Sequence, residues 1–153
     1  MADTSLSEKK IGLLIWNTSN FWQSKLRIIL KNFNLSLNEY LILESLYELK
    51  NNSESITQTR LSSFSGIDVS VISICLKTLS KKKLIYRKVD QDNRKKIITF
   101  LPNGNRLYEN ISPKIHEQEN NLFDKLRSEK LNFCNSLKLI LGKKIRIQAK
   151  KYI

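Results

Sequence analysis

Residues 68–84 read DVSVISICLKTLSKKKL, and the order of apolar and polar positions within them decides the fold. At about 100° per residue, Ile72, Cys75, Leu76 and Leu79 fall on one stripe, while Ser70, Ser73, Ile74, Lys77 and Lys81 gather on the opposite side. That outer side carries no acid. Asp68 is placed to accept the unpaired N–H groups of the first turn, and Gly66 suits the tight turn that ends a preceding helix. The stretch therefore predicts a short helix, apolar inward and small, polar and basic outward, behind another short helix and ahead of a basic hairpin. Such a helix has the width and surface needed to enter a DNA major groove. A solvated amphipathic helix carries the same pattern, so the flanking segments decide between the two.

Upstream, Thr57 can cap a short helix with Leu61 and Phe64 inward, and Ile56 suits a strand of one or two residues. Ser36 stands three residues before Glu39, the reciprocal S-x-x-E capping pair. Leu37, Tyr40, Leu41, Leu43, Leu46, Tyr47 and Leu49 then continue a helix that Asn51, Asn52 and Ser53 end. Earlier still, Ile11, Leu14, Ile15, Trp22, Leu26, Ile29, Leu30 and Phe33 recur at three and four residues until KNFNLS at 31–36. A first helix of more than about five turns carries more apolar surface than a small domain covers, so part of it is expected to meet another chain.

Downstream the period becomes strand-like, with Leu84, Ile85, Tyr86 and Val89 before a polar turn and Ile97, Ile98, Phe100 and Leu101 after it. The turn, DQDNRKK at 90–96, brings Arg94, Lys95 and Lys96 near the tip of a hairpin, with Asp90 and Asp92 suited to hold the loop through its own backbone. Pro102, Asn103 and Gly104 break the strand. Leu107, Ile111, Ile115, Leu122 and Leu126 follow at near-heptad spacing, with Pro113 expected to kink the helix or to mark a restart capped by Ser112. Ser128 precedes a last run, Leu131, Cys134, Leu137, Leu141 and Ile145, and the tail KKIRIQAKKYI is basic and amphipathic.

The chain has 153 residues, 41% of them hydrophobic, a length and content that support a core. Lys and Arg number 27 against 14 Asp and Glu, a net charge of +13 that favours a polyanionic partner or an anionic membrane surface. No apolar run approaches the roughly 20 residues of a membrane span, and the first residues have no secretion-signal pattern. A cytoplasmic protein with no membrane partner is expected. Cys75 and Cys134 lie far apart, without a CxxC, and His116 is the single histidine, so neither a zinc site nor a disulfide framework is indicated. Both cysteines read as buried thiols. Gly12, Gly66, Gly104 and Gly142 form no phosphate-binding loop, and His116 has no identifiable nucleophile partner. No cofactor, metal or catalysis is expected.

The order helix, helix, helix, hairpin, two long helices, with LSLNEYLILESLYEL leading in and DVSVISICLKTLSKKKLIYRKVDQDNRKKIITFLPNG at the centre, resembles the MarR/SlyA family of bacterial winged helix-turn-helix regulators. The resemblance covers most of the chain and is most specific from Leu61 to Gly104. It implies a mainly α fold with a small β-hairpin wing. In that fold, residues 1–35 form an N-terminal dimerisation helix, 36–102 the DNA-binding core, and 103–153 C-terminal dimerisation helices, all in one structural domain. It puts Ser70, Ser73, Ile74 and Lys77 on groove-reading positions and Arg94 and Lys95 on the wing. Three positions depart from the family pattern. Its glycine at the recognition-helix exit is Lys83 here. Its wing pattern of Asp, any residue, Arg reads Asn93, Arg94, Lys95 in strict register, with Asp92 and Arg94 restoring it one residue earlier. Its Thr after the wing is Pro102.

The resemblance also implies small aromatic or phenolic effectors in many members, and oxidant sensing through a first-helix cysteine in others. No cysteine lies in this first helix. Trp16, Trp22 and Phe33 are either core aromatics or the lining of a ligand cleft near the dimer junction, and no effector identity is readable. The function expected is a homodimeric, sequence-specific transcriptional regulator. It would place helix 68–82 in the major groove of double-stranded DNA, at an inverted repeat, and wing 90–96 in the adjacent minor groove. Ser70, Ser73, Ile74, Lys77, Lys81, Arg94, Lys95 and Lys96 are the DNA-facing residues. The alternative is a nucleic-acid or nucleoid-binding protein without sequence preference, because the outer face lacks Arg, Asn and Gln, the side chains best suited to bidentate base readout.

Overall fold

Ser36 and Glu39 set the frame of the molecule. In the computed structural model, Ser36 Oγ accepts from the Glu39 N–H at 3.1 Å and the Glu39 carboxylate accepts from the Ser36 N–H at 3.3 Å, closing the entry of a helix. The structure describes residues 9–52, 55–89 and 95–143. Its elements are α1 (Ile11–Lys31), α2 (Leu37–Lys50), α3 (Gln58–Ser65), α4 (Val69–Lys81), β1 (Ile85–Val89), β2 (Lys96–Phe100), α5 (Pro102–Phe123), a 3-10 segment (Asp124–Glu129) and α6 (Lys130–Ile140). This is the mainly helical fold with an antiparallel hairpin that the sequence predicts. The chain forms two compact units, residues 1–117 and 118–153.

In the first unit α2 lies at the centre. Leu37, Tyr40, Ile42, Leu43, Leu46 and Leu49 are buried on several sides of it, which is why its sequence shows no single clean stripe. Around it pack Leu26 and Leu30 of α1, Leu61 of α3, Ile72, Cys75, Leu76 and Leu79 of α4, Ile85 and Ile98 of the hairpin, and Tyr108, Ile111 and Ile115 of α5. Tyr108 is an anchor that the periodicity of Leu107, Ile111 and Ile115 did not single out. Its ring lies 5.9 Å from that of Tyr40 and 4.5 Å from that of Tyr47, while Leu107 is half-buried.

The apolar stripe of α1 divides in two. Leu26 and Leu30 are buried in their own chain, whereas Ile11, Leu14, Ile15, Trp16, Phe21 and Ile28 are exposed. The expected inward role of Phe64 is not what the fold does: its side chain is 46% exposed. Leu61 is the buried residue of α3, and Ser62 and Ser65 flank it half-buried. Phe64 therefore sits well off that face, with the Arg60 guanidinium 5.6 Å from its ring centre.

Pro102 opens α5 at the helix position that suits proline. A Cβ on Gly104 would collide with the Leu84 carbonyl, the same oxygen that accepts from the Leu101 N–H at 3.0 Å, so glycine lets α5 approach the exit of α4. No restart occurs at Ser112. α5 runs through Pro113, because Ile111 and Ile115 are fully buried on either side and packing outweighs the hydrogen bond that proline removes.

In the second unit the end of α5 leads through the 3-10 segment, with Arg127 at φ 50°, into α6. Ser128 does not cap this helix. It begins at Lys130, and its N-cap, Glu129, makes no side-chain capping bond. Cys134 is exposed, against the expectation of a buried thiol, because α6 buries none of its residues in the single chain. Leu131, Leu139, Ile140 and Leu141 are exposed with it. Ser53, Asp90, Asp92, Arg94, Ile145 and most of the basic tail lie outside the described residues.

Candidate nucleic-acid interface

The turn between α3 and α4 is built from short polar side chains. Gly66 takes the left-handed conformation at φ 78°, and its N–H bonds the Ser62 carbonyl at 2.9 Å. Ser62 Oγ donates to the Ile67 carbonyl at 2.7 Å, and the Ile67 N–H donates to Ser65 Oγ at 3.1 Å. The chain turns through 118° between the two helices, in the range of helix-turn-helix units.

Asp68 caps α4 as expected. Its carboxylate accepts from the Ser70 N–H at 2.8 Å and from Ser70 Oγ at 2.6 Å. The side-chain bond and then the backbone bond hold the Asp68 carboxyl below its ordinary range. The Ser70 proton is thereby committed to the cap, and its oxygen faces outward as an acceptor.

Along the outer face Ser70, Lys77 and Lys81 are exposed, Ser73 is half-buried, and Ile74 is 66% exposed, an unusual position for a large aliphatic side chain. Opposite them Ile72, Leu76 and Leu79 are fully buried and Cys75 nearly so. Burial, with the nearby Glu39 charge, pushes the Cys75 thiol up. This is the two-faced helix read from the sequence.

The three lysines after it separate by role. Lys81 is exposed. Lys82 turns back, its ammonium 2.9 Å from the buried Glu39 carboxylate and 2.6 Å from the Asn34 carbonyl, so it ties the end of α4 to the start of α2. Lys83 takes φ 58° and closes the helix where the family has glycine. Its N–H bonds the Ser80 carbonyl at 3.0 Å and the Leu84 N–H bonds the Leu79 carbonyl at 3.1 Å, the paired pattern of a Schellman end. The structural part of Lys82 was not read from the sequence. A run of lysines carries no mark of which one meets a buried acid 43 residues away.

The hairpin pairs Ile85 with Phe100 through Val89 with Lys96. Lys95 and Lys96 are exposed at its loop end, and Arg94 lies outside the described residues. The strand pairing expected at Ile56 falls one residue later. Thr57 bridges to Ile97 and also caps α3, while the Ile98 N–H bonds the Ile56 carbonyl at 2.8 Å. The second strand of the wing is thus pinned to the entry of α3.

Of Trp16, Trp22 and Phe33, the groove beside α1 and α2 takes Trp22 alone. Trp22 borders a groove of about 700 Å³ with Gln23, Arg27, Lys31 and Lys82. Trp16 is exposed and outside that groove, and Phe33 lies under the Lys114 ammonium, 4.9 Å from its ring centre.

Known proteins match both the fold and this region. The MarR family model matches residues 35–97, which span α2 through the start of β2 and include the outer face of α4. The chain is 30% identical over 131 residues to the uncharacterized HTH-type transcriptional regulator YdcH of Bacillus subtilis (strain 168), covering 85% of this chain and 88% of that one. It superposes on the S. aureus MepR–DNA complex with a TM-score of 0.77 at 25% identity, over 88% of this chain and 96% of that one. The fold also matches CouR from Rhodococcus jostii RHA1 bound to p-coumaroyl-CoA, with a TM-score of 0.77 at 20% identity, over 95% of this chain and all of that one. With its capped helix α4, its two-stranded hairpin and these relatives, the chain belongs to the MarR family of DNA-binding transcriptional regulators.

Proposed function

We propose that this regulator binds DNA as a homodimer, with α4 in the major groove of each half of an inverted repeat and wing 90–96 in the adjacent minor groove. The observation that carries the reading is the outer face of α4, where Ser70, Ser73, Ile74, Lys77 and Lys81 stand clear of the core. Ile74 supplies an apolar surface for a thymine methyl, the two serines adaptable polar groups, and Lys77 a guanine edge or a phosphate. Lys95 and Lys96 suit the phosphates beside the wing, and Arg94 a narrow, A·T-rich minor groove. Residues 1–35 and 103–153 act in this reading as dimerisation segments around the core 36–102. The lack of Arg, Asn and Gln on the outer face favours, as a second reading, binding without sequence preference.

Selection from a random DNA pool separates the two. Wild type should enrich an inverted repeat with half-sites about one helical turn apart. Ser73→Ala and Ile74→Ala should each alter base preference by about 1–3 kcal/mol at the base pair that side chain reads. Arg94→Ala should weaken all sites, most of all those with A·T-rich flanks, and leave the half-site core unchanged. A wild-type consensus kept by the α4 variants and rewritten by Arg94→Ala would remove α4 as the reading element.

A further inference from the structure

A cleft of about 710 Å³ opens between the last turns of α2, strand β2 and the first turns of α5, and no residue of α1 or α4 lines it. Leu46, Ile56 and Ile98 are its buried floor, and Ile97 and Phe100 extend that floor half-buried. Two exposed cations stand at its mouth, Lys50 from the end of α2 and Arg106 from the start of α5, and no carboxylate lines it. Neutral amides orient both. The Lys50 ammonium donates to Asn105 Oδ1 at 2.5 Å, and Arg106 Nη2 donates to Asn103 Oδ1 at 2.6 Å. Lys50 is also held over the Tyr47 ring, 4.0 Å from its centre. The Glu109 carboxylate is taken up by other donors, the Tyr47 hydroxyl at 3.2 Å and Asn105 Nδ2 at 2.9 Å. Neither Lys50 nor Arg106 forms an ion pair with a carboxylate among the described residues.

We propose that this cleft binds a small amphipathic anion, an organic carboxylate of about the size of phenylbutanoate, with its apolar body on Leu46, Ile56 and Ile98 and its carboxylate between Lys50 and Arg106. Pockets of roughly 300–1,000 Å³ with an apolar lining and a few placed polar groups are those that enclose small organic ligands. Charge sets one half of the ligand's chemistry. Two cations without an acid partner disfavour an ammonium and favour an anion, and the positive end of the α5 dipole adds to them, since Pro102, Asn105 and Arg106 lie in its opening turns. The floor sets the other half, because a bare inorganic ion would leave its apolar surface uncovered. Every wall comes from a single chain. Two of them, β2 and Ile56 just before α3, are joined by the bond from the Ile98 N–H to the Ile56 carbonyl at 2.8 Å. A bound anion therefore touches the second strand of the hairpin and the entry of the helix-turn-helix while leaving the outer face of α4 free.

The test is titration calorimetry of the full chain with phenylbutanoate, with its neutral alcohol phenylbutanol and with inorganic phosphate. Wild type, Lys50→Gln, Arg106→Gln and Arg27→Gln are compared, each checked for an unchanged thermal midpoint. Wild type should bind phenylbutanoate saturably, and the alcohol about tenfold more weakly, because the alcohol lacks hydrogen bonds between charged groups. Lys50→Gln and Arg106→Gln should each weaken the acid about fivefold and leave the alcohol unchanged. Arg27→Gln, which alters the groove beside Trp22, should change neither. If Lys50→Gln does not fold, Arg106→Gln reads the same mouth from α5. Equal binding of acid and alcohol, or no saturable binding of the acid, would overturn the site. Binding lost in Arg27→Gln and kept in Lys50→Gln and Arg106→Gln would give the ligand to the other groove and also overturn it. Phosphate that competes as well as phenylbutanoate would reduce the mouth to surface charge and remove the role of the floor. Each of these results is independent of how the chain binds DNA.

Discussion

Lys83 closes α4 with φ 58°, a conformation that costs a side-chain-bearing residue about 1–2 kcal/mol. The Schellman hydrogen bonds and the buried pair Leu79 and Leu84 over-determine it. Lys83→Gly should therefore stabilise the protein by about 1 kcal/mol, less the extra entropy of glycine in the unfolded chain, as read from the urea midpoint. Tyr108 carries a second consequence at this scale. Burial first, then the charges of Glu44 and Glu48, push its hydroxyl from 10.0 to about 12. The folded state holds this proton more tightly than the unfolded one, so the contribution is full below about pH 10 and is lost as pH rises toward about 12. Tyr108→Phe should lose less stability than wild type across that window, measured by urea unfolding at stepped alkaline pH.

At the scale of the element, α4 shows how neighbouring side chains of one type divide their tasks. Lys81 is exposed beside the outer face, while Lys82 neutralises the buried Glu39 carboxylate that also closes the capping box of α2. Lys82→Gln should therefore cost about 1–2 kcal/mol of stability, since it leaves a buried acid poorly paired, and should change the salt slope of DNA binding little. Lys81→Gln should do the reverse, flattening the slope with the melting temperature nearly unchanged. Parallel melts and salt titrations of the two variants check the assignment. Equal slopes and equal midpoints would remove it.

For the whole molecule, the exposed apolar residues of α1 and those of α6 call for a partner surface, and a second copy of the chain is the expected one. Light scattering at micromolar concentration should give a dimer, and a chain cut after Leu126 should not dimerise. About eight phosphates neutralised per dimer would make the log–log salt slope about −7. A well-folded monomer would separate the exposed stripes from DNA binding and leave them unexplained.

The sequence by itself determined the parts governed by local physics. Caps at Ser36, Thr57 and Asp68, the left-handed turn at Gly66 and the period of residues 68–81 each depend on atoms a few residues apart, and all are in place. The outward set Ser70, Ser73, Ile74, Lys77 and Lys81 follows from the same helical period. Tertiary structure decided what depends on distant partners. Phe64 faced out because Leu61 alone met the core of α2 and α4, Pro113 stayed helical because buried neighbours held it, and Cys134 lay exposed because α6 buries none of its side chains among the described residues. Lys82 found Glu39, and Lys50 came to share a cleft with Arg106, only when helices separated in sequence were packed together. A side chain's spacing along the chain sets the face it occupies, but the charge or apolar surface it meets there is supplied by the fold.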